Sequence, residues 1–83
     1  MRPATPAEKR LLIRALRLYE EAQLPGAVRR CMHPQRYASG QLAIGVKVEM
    51  EHTTDPALAL EIAMRHLCER EDYYALLEKL EQG

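Results

Sequence analysis

Two pairs of side chains in this sequence have the types and the spacing to do chemistry. Glu49 and His52 stand three residues apart, and so, in the opposite order, do His66 and Glu69. On a helix that separation puts both members of a pair on one face, one turn apart. Imidazole and carboxylate donors together suit Zn, Mn, Fe or Ni, and Glu-x-x-His pairs on inward helix faces are the device of carboxylate-bridged iron bundles. Packed antiparallel, the two segments would offer Glu49, His52, His66 and Glu69 to one divalent transition metal. The same residues have a plainer use as a buried network in which carboxylate and imidazole satisfy each other, because burying either alone is costly. A third use is an acid–base pair working without metal.

Other chemistry is poorly represented. Cys31-Met32-His33 has the look of a metal half-site, but no second Cys/His pair stands at a useful spacing. Cys68 falls on the outer face of its predicted helix, turned away from His66, so a Cys–His nucleophile is not assembled. Gly-rich phosphate loops, nucleophile elbows and zinc-finger spacings are missing. The balance leans away from an enzyme. Two cysteines do not make a disulfide framework, no signal peptide opens the chain, and no apolar run is long enough to span a membrane. A reduced, cytoplasmic setting is the expectation.

The elements that must hold the two pairs can be read from caps and periodicity. Thr5-Pro6-Ala7-Glu8 predicts a helix start, with Thr5 and Glu8 as a capping box and Pro6 at the first helical position. From there Leu11, Leu12, Ala15, Leu16, Leu18, Tyr19 and Ala22 form one stripe, opposite Arg10, Arg14, Arg17 and Glu21. This helix should run to about Leu24, where Pro25-Gly26 stops it. Residues 25–38 read as a connector, with a short helical turn over Ala27 to Met32.

Residues 41–52 fit two patterns. Leu42, Ile44, Val46, Val48 and Met50 alternate as a strand would. Ser39 as a cap, with Leu42, Val46 and Met50 at i, i+4, describes a helix instead. A lone strand would leave its backbone groups unpaired, so the helix is preferred. On its wheel Gly45, Glu49 and His52 lie between two apolar stripes and point inward. Ala43, Lys47 and Glu51 face out, and Gly45 lets another backbone come close. Asp55-Pro56 caps the next helix, whose broad face of Leu58, Ala59, Leu60, Ile62, Ala63, Met64 and Leu67 includes His66, with Glu69 at its edge. Asp72 caps a last helix with Tyr73, Leu76, Leu77 and Leu80 inward.

From Gly45 onward the chain resembles an uncharacterised family of short bacterial and phage proteins. The shared pattern is G-x-x-V-E-x-E-H-T, then A-x-E-I-A-x-x-H-L-x-E, then Y-Y-x-x-L. Here it is carried by Gly45, Val48, Glu49, Glu51, His52 and Thr53, by Ala59, Glu61, Ile62, Ala63, His66, Leu67 and Glu69, and by Tyr73, Tyr74 and Leu77. Members often have Asp just before the second His, where this chain has Arg65. The resemblance spans roughly residues 42–77 and implies that both Glu/His pairs belong to the family signature. It implies no activity.

At 83 residues the chain is one domain near the lower size limit for a single core, and that core must be built without Phe or Trp. Chains this small often gain stability from a second copy or a metal, and a homo-oligomer is expected. Net charge is zero but uneven. Residues 1–36 carry eight Lys/Arg against three Glu, while residues 37–83 carry four Lys/Arg against nine acids. Arg10, Arg14, Arg17, Arg29 and Arg30 would be the contacts of a nucleic-acid face. No aromatic residues punctuate the basic run as stacking platforms, so attraction between the halves is the preferred reading. The expected architecture is all-α, a small bundle of three to four helices. It forms a single domain over 1–83, with a helix and connector in 1–40 and the Glu/His segment in 41–83.

Overall fold

A computed structural model describes residues 2–22 and 31–82. Four α-helices follow one another: α1 Pro6–Ala22, α2 Ser39–Glu49, α3 Pro56–Glu69 and α4 Tyr73–Gln82. A 3-10 turn, Pro34–Arg36, lies in the connector. There is no strand among the described residues, so the helical reading of the 41–52 segment holds and the alternating one does not. No helix among them is long and apolar enough to cross a membrane. The Pro25-Gly26 stop and most of the turn expected over residues 27–32 lie outside the described residues.

The start of α1 follows the capping-box reading atom for atom. Glu8 N donates to Thr5 Oγ1 at 3.2 Å, and Thr5 N donates back to Glu8 Oε1 at 2.8 Å. Arg2 adds a two-pronged grip on the same carboxylate, at 2.7 and 2.6 Å. Its guanidinium, ahead of the Thr5 amide and hydroxyl, holds the buried Glu8 carboxyl at about 2, against its usual 4.5. The Arg2 guanidinium is raised in return. Beyond the cap, Leu12, Ala15 and Tyr19 are buried, while Arg10, Arg14, Arg17 and Glu21 are exposed as the stripe requires.

The main packing is among α1, α2 and α3, with α4 laid more lightly on α2 and α3. Helix α2 is enclosed on several sides. Leu42, Ala43, Ile44, Gly45, Val46 and Glu49 are all buried, as befits a helix that is apolar around most of its girth. Ala43, expected to face out, is therefore fully enclosed. Its neighbours leave only Ser39, in the first turn, and Lys47 clearly in solvent along the helix. Ser39 does not cap α2 either. Ala38 holds the N-cap position with no side-chain hydrogen bond, and Ser39 is already in the first turn.

Helix α3 starts as predicted, Asp55 Oδ1 accepting from Ala57 N at 3.0 Å with Pro56 in the first turn. Ala59, Leu60, Ala63, Met64 and Leu67 form its buried face, and Leu58 is the one member of the expected face left exposed. In α4 the inward stripe is rotated from expectation. Tyr74 is the buried residue, at 2% exposure, whereas Leu80 is 79% exposed and Tyr73, Leu76 and Leu77 are half-buried.

The cysteines depart most from expectation. Cys31 in the connector and Cys68 in the last turn of α3 are joined as a disulfide, their Cα atoms 5.8 Å apart, a separation ordinary for such a bond. They are 37 positions apart in sequence, and only the return of the connector to the end of α3 brings them together. Two tyrosine contacts, one buried and one part-buried, fix that return: Tyr19 Oη donates to Met32 O at 2.9 Å, and Tyr37 Oη to Cys31 O at 2.6 Å.

Candidate functional site

A glutamate on a face that packs against two other helices must find a donor, and Glu49 finds one on α4. It ends α2, it is 6% exposed, and its Oε2 accepts the hydroxyl of Tyr74 at 2.9 Å. His66, one turn before the end of α3, presents Nε2 to the same oxygen at 3.7 Å. Burial first, and then the donation to Glu49, push the Tyr74 hydroxyl far above its usual range. Tyr74 is thereby held as a neutral proton donor.

The rings order one another. The His66 imidazole stacks face to face on Tyr73, centroids 4.2 Å apart and planes 1° from parallel. Tyr73 and Tyr74 meet edge to face at 4.9 Å, and His66 meets Tyr74 edge-on at 6.4 Å, arrangements that aromatic quadrupoles favour. Gly45, one turn before Glu49, is what makes room. A Cβ built there would stand 2.7 Å from Cε2 of Tyr74, 3.0 Å from its Cζ and 3.0 Å from the Cβ of Ala63. The close approach predicted for Gly45 is therefore real, but the partner is a tyrosine ring rather than a backbone.

Of the four residues expected to form a site, Glu49 and His66 come together and the other two stand apart. His52 does not continue the face of α2. The helix ends at Glu49, and the chain tightens as Glu51 N bonds Val48 O and His52 N bonds Glu49 O. This leaves the His52 side chain exposed in the turn, where it was expected to point inward. Helical periodicity does not extend to His52, which lies three residues beyond the end of α2. Glu69, at the last position of α3, is exposed as well. Among the described residues no group of three or more His, Cys, Asp or Glu is placed to hold a metal ion. Cys31 of the suspected Cys-x-His half-site is in the disulfide. Of the five arginines considered for nucleic acid, Arg10, Arg14 and Arg17 are exposed along α1, while Arg29 and Arg30 lie outside the described residues.

Tyr74 is the member that reasoning from the Glu/His spacing missed. The available signal was chemical: a buried carboxyl needs a donor, and the Tyr73-Tyr74 pair supplies two in the segment after α3. Small residues at Gly45 and Ala63 mark the slot that one ring fills. Two surface clefts lie elsewhere. One of about 310 Å³ sits beside Cys68, and another of about 430 Å³ lies between α1 and the connector. Neither has Glu49, His66 or Tyr74 in its wall.

Fold and site together define a small all-α domain in which the buried Glu49 and Tyr74 meet the half-buried His66 and in which a disulfide joins the connector to α3. The chain belongs to the family described as Protein of unknown function (DUF5661), which it matches over residues 27–83. The match takes in the connector and Cys31 as well as the Glu/His segment. No curated protein and no solved structure matches the chain.

Proposed function

We propose that the chain is a structural or protein-interaction module, in which Glu49, His66 and Tyr74 fix the packing of α4 on α2 and α3. The observation that carries this reading is the 2.9 Å hydrogen bond from Tyr74 to a carboxyl that is 6% exposed. A buried acceptor satisfied by a side chain from another helix specifies how the two helices meet. Two further features support it. The cluster lines neither cleft, and one face of His66 is occupied by Tyr73. Self-association, expected for a core this small, belongs to the same reading.

Thermal melting with chelator, and then with added Zn, Mn, Fe or Ni, tests the assignment. His66→Ala should lower stability by about 1–2 kcal/mol, from the lost ring stack and the polar contact, and by the same amount in every condition. A rise in the melting temperature of the unmutated chain on adding one of these metals, abolished by His66→Ala, would return the cluster to metal binding.

A further inference from the structure

We propose that the cleft beside Cys68 is a thiol–disulfide exchange site for a small peptide thiol bearing carboxylates, with Cys68 the sulfur attacked and Cys31 the one released. The cleft is lined by Arg36, Tyr37, Ala38, Gln41, Leu67, Cys68 and Glu71 and encloses about 310 Å³. Of the two bonded cysteines, only Cys68 lines it. Cys68 is exposed, whereas Cys31 is half-buried in the connector. Access therefore distinguishes two sulfurs that are chemically alike.

The remaining walls match the class of thiol. Arg36 complements a carboxylate, and Glu71 at the rim complements an ammonium group. Gln41 supplies an amide whose carbonyl oxygen is buried with no hydrogen-bond partner among the described residues. An unsatisfied acceptor is destabilising, so a ligand N–H that reached this oxygen would be bound favourably.

The exchange balances without another reactant. The incoming thiolate bonds to Sγ of Cys68, the Cys31–Cys68 bond breaks, and its electron pair leaves on Sγ of Cys31, which takes a proton from water. Cys31 does not drift away. Its carbonyl still accepts from Tyr37, and the next residue's from Tyr19. It stays placed to attack the mixed disulfide and expel the small thiol, the part of a resolving cysteine. In a reducing setting the bond would open and close by this route.

Trapping the mixed disulfide tests the proposal. Folded Cys31→Ser and Cys68→Ser chains are incubated with oxidised glutathione and followed by mass spectrometry. Cys31→Ser should acquire one glutathione on Cys68 about tenfold faster than Cys68→Ser acquires one on Cys31. The difference should vanish in urea. Adding Arg36→Ala should slow the first reaction severalfold with glutathione disulfide but not with cystamine, which has no carboxylate. If a serine variant does not fold, the reduced wild-type chain gives the same comparison: a brief pulse, quenched in acid, should leave the first glutathione on Cys68. Equal rates at the two cysteines, a preference for Cys31, or no effect of Arg36→Ala would overturn the proposal.

Discussion

Tyr74→Ala is expected to destabilise the chain by about 4 kcal/mol, the range for truncating a buried aromatic ring. The ring is 2% exposed and fills the slot between Gly45 and Ala63, so its removal leaves a cavity that two helix backbones cannot easily close. It also strips Glu49 of its hydroxyl donor. Domains of this length hold roughly 4–12 kcal/mol in total, so the variant should melt on the order of 20 °C lower, or fail to fold at 37 °C. Tyr74→Phe separates the two contributions. It keeps the ring and should cost about 1–2 kcal/mol through the orphaned carboxyl alone. Chemical denaturation of the three chains measures both.

Gly45→Val should be nearly as damaging, for the opposite reason. A single Cβ already falls 2.7 Å from the ring of Tyr74, and valine adds two methyl groups on an α2 face with no free volume. Overpacking ordinarily costs about 1–3 kcal/mol. The upper end or beyond applies here, because the obstacles are a buried ring and the Cβ of a neighbouring helix. Even Gly45→Ala, which gains about 1 kcal/mol in helix propensity, should come out net destabilising. The effect must be coupled to the ring. In a Tyr74→Leu background, Gly45→Ala should lose most of its cost, a non-additivity expected for residues in contact. If Gly45→Ala is neutral or stabilising in the wild-type chain, the ring does not sit where it is placed.

What the sequence revealed, and what it did not, divides along the range of the interaction. Caps are local chemistry, and the Thr5–Glu8 box and the Asp55–Pro56 start were legible to the residue. The inward direction of Glu49 was legible too, because it lies between the two apolar stripes of α2, and so was that of the half-buried His66, which falls within the broad face of α3. His52 was not, since the wheel cannot show that α2 ends at Glu49 and turns. The phase of α4 was also hidden. Tyr73 and Tyr74 are adjacent and alike, and only the slot at Gly45 decides which ring goes in. The Cys31–Cys68 bond depends on how the connector returns across the bundle, a property of packing with no periodic trace.

In the proposed reading Glu49 and Tyr74 hold α4 in place through each other. A double-mutant cycle of Glu49→Gln and Tyr74→Phe, read by urea unfolding in chelator-treated buffer, measures it directly. The prediction is a coupling of about 1–2 kcal/mol, with the second substitution costing much less once the first is present. Additive effects, within about 0.3 kcal/mol, would show that the two side chains do not act on each other and would contradict the account.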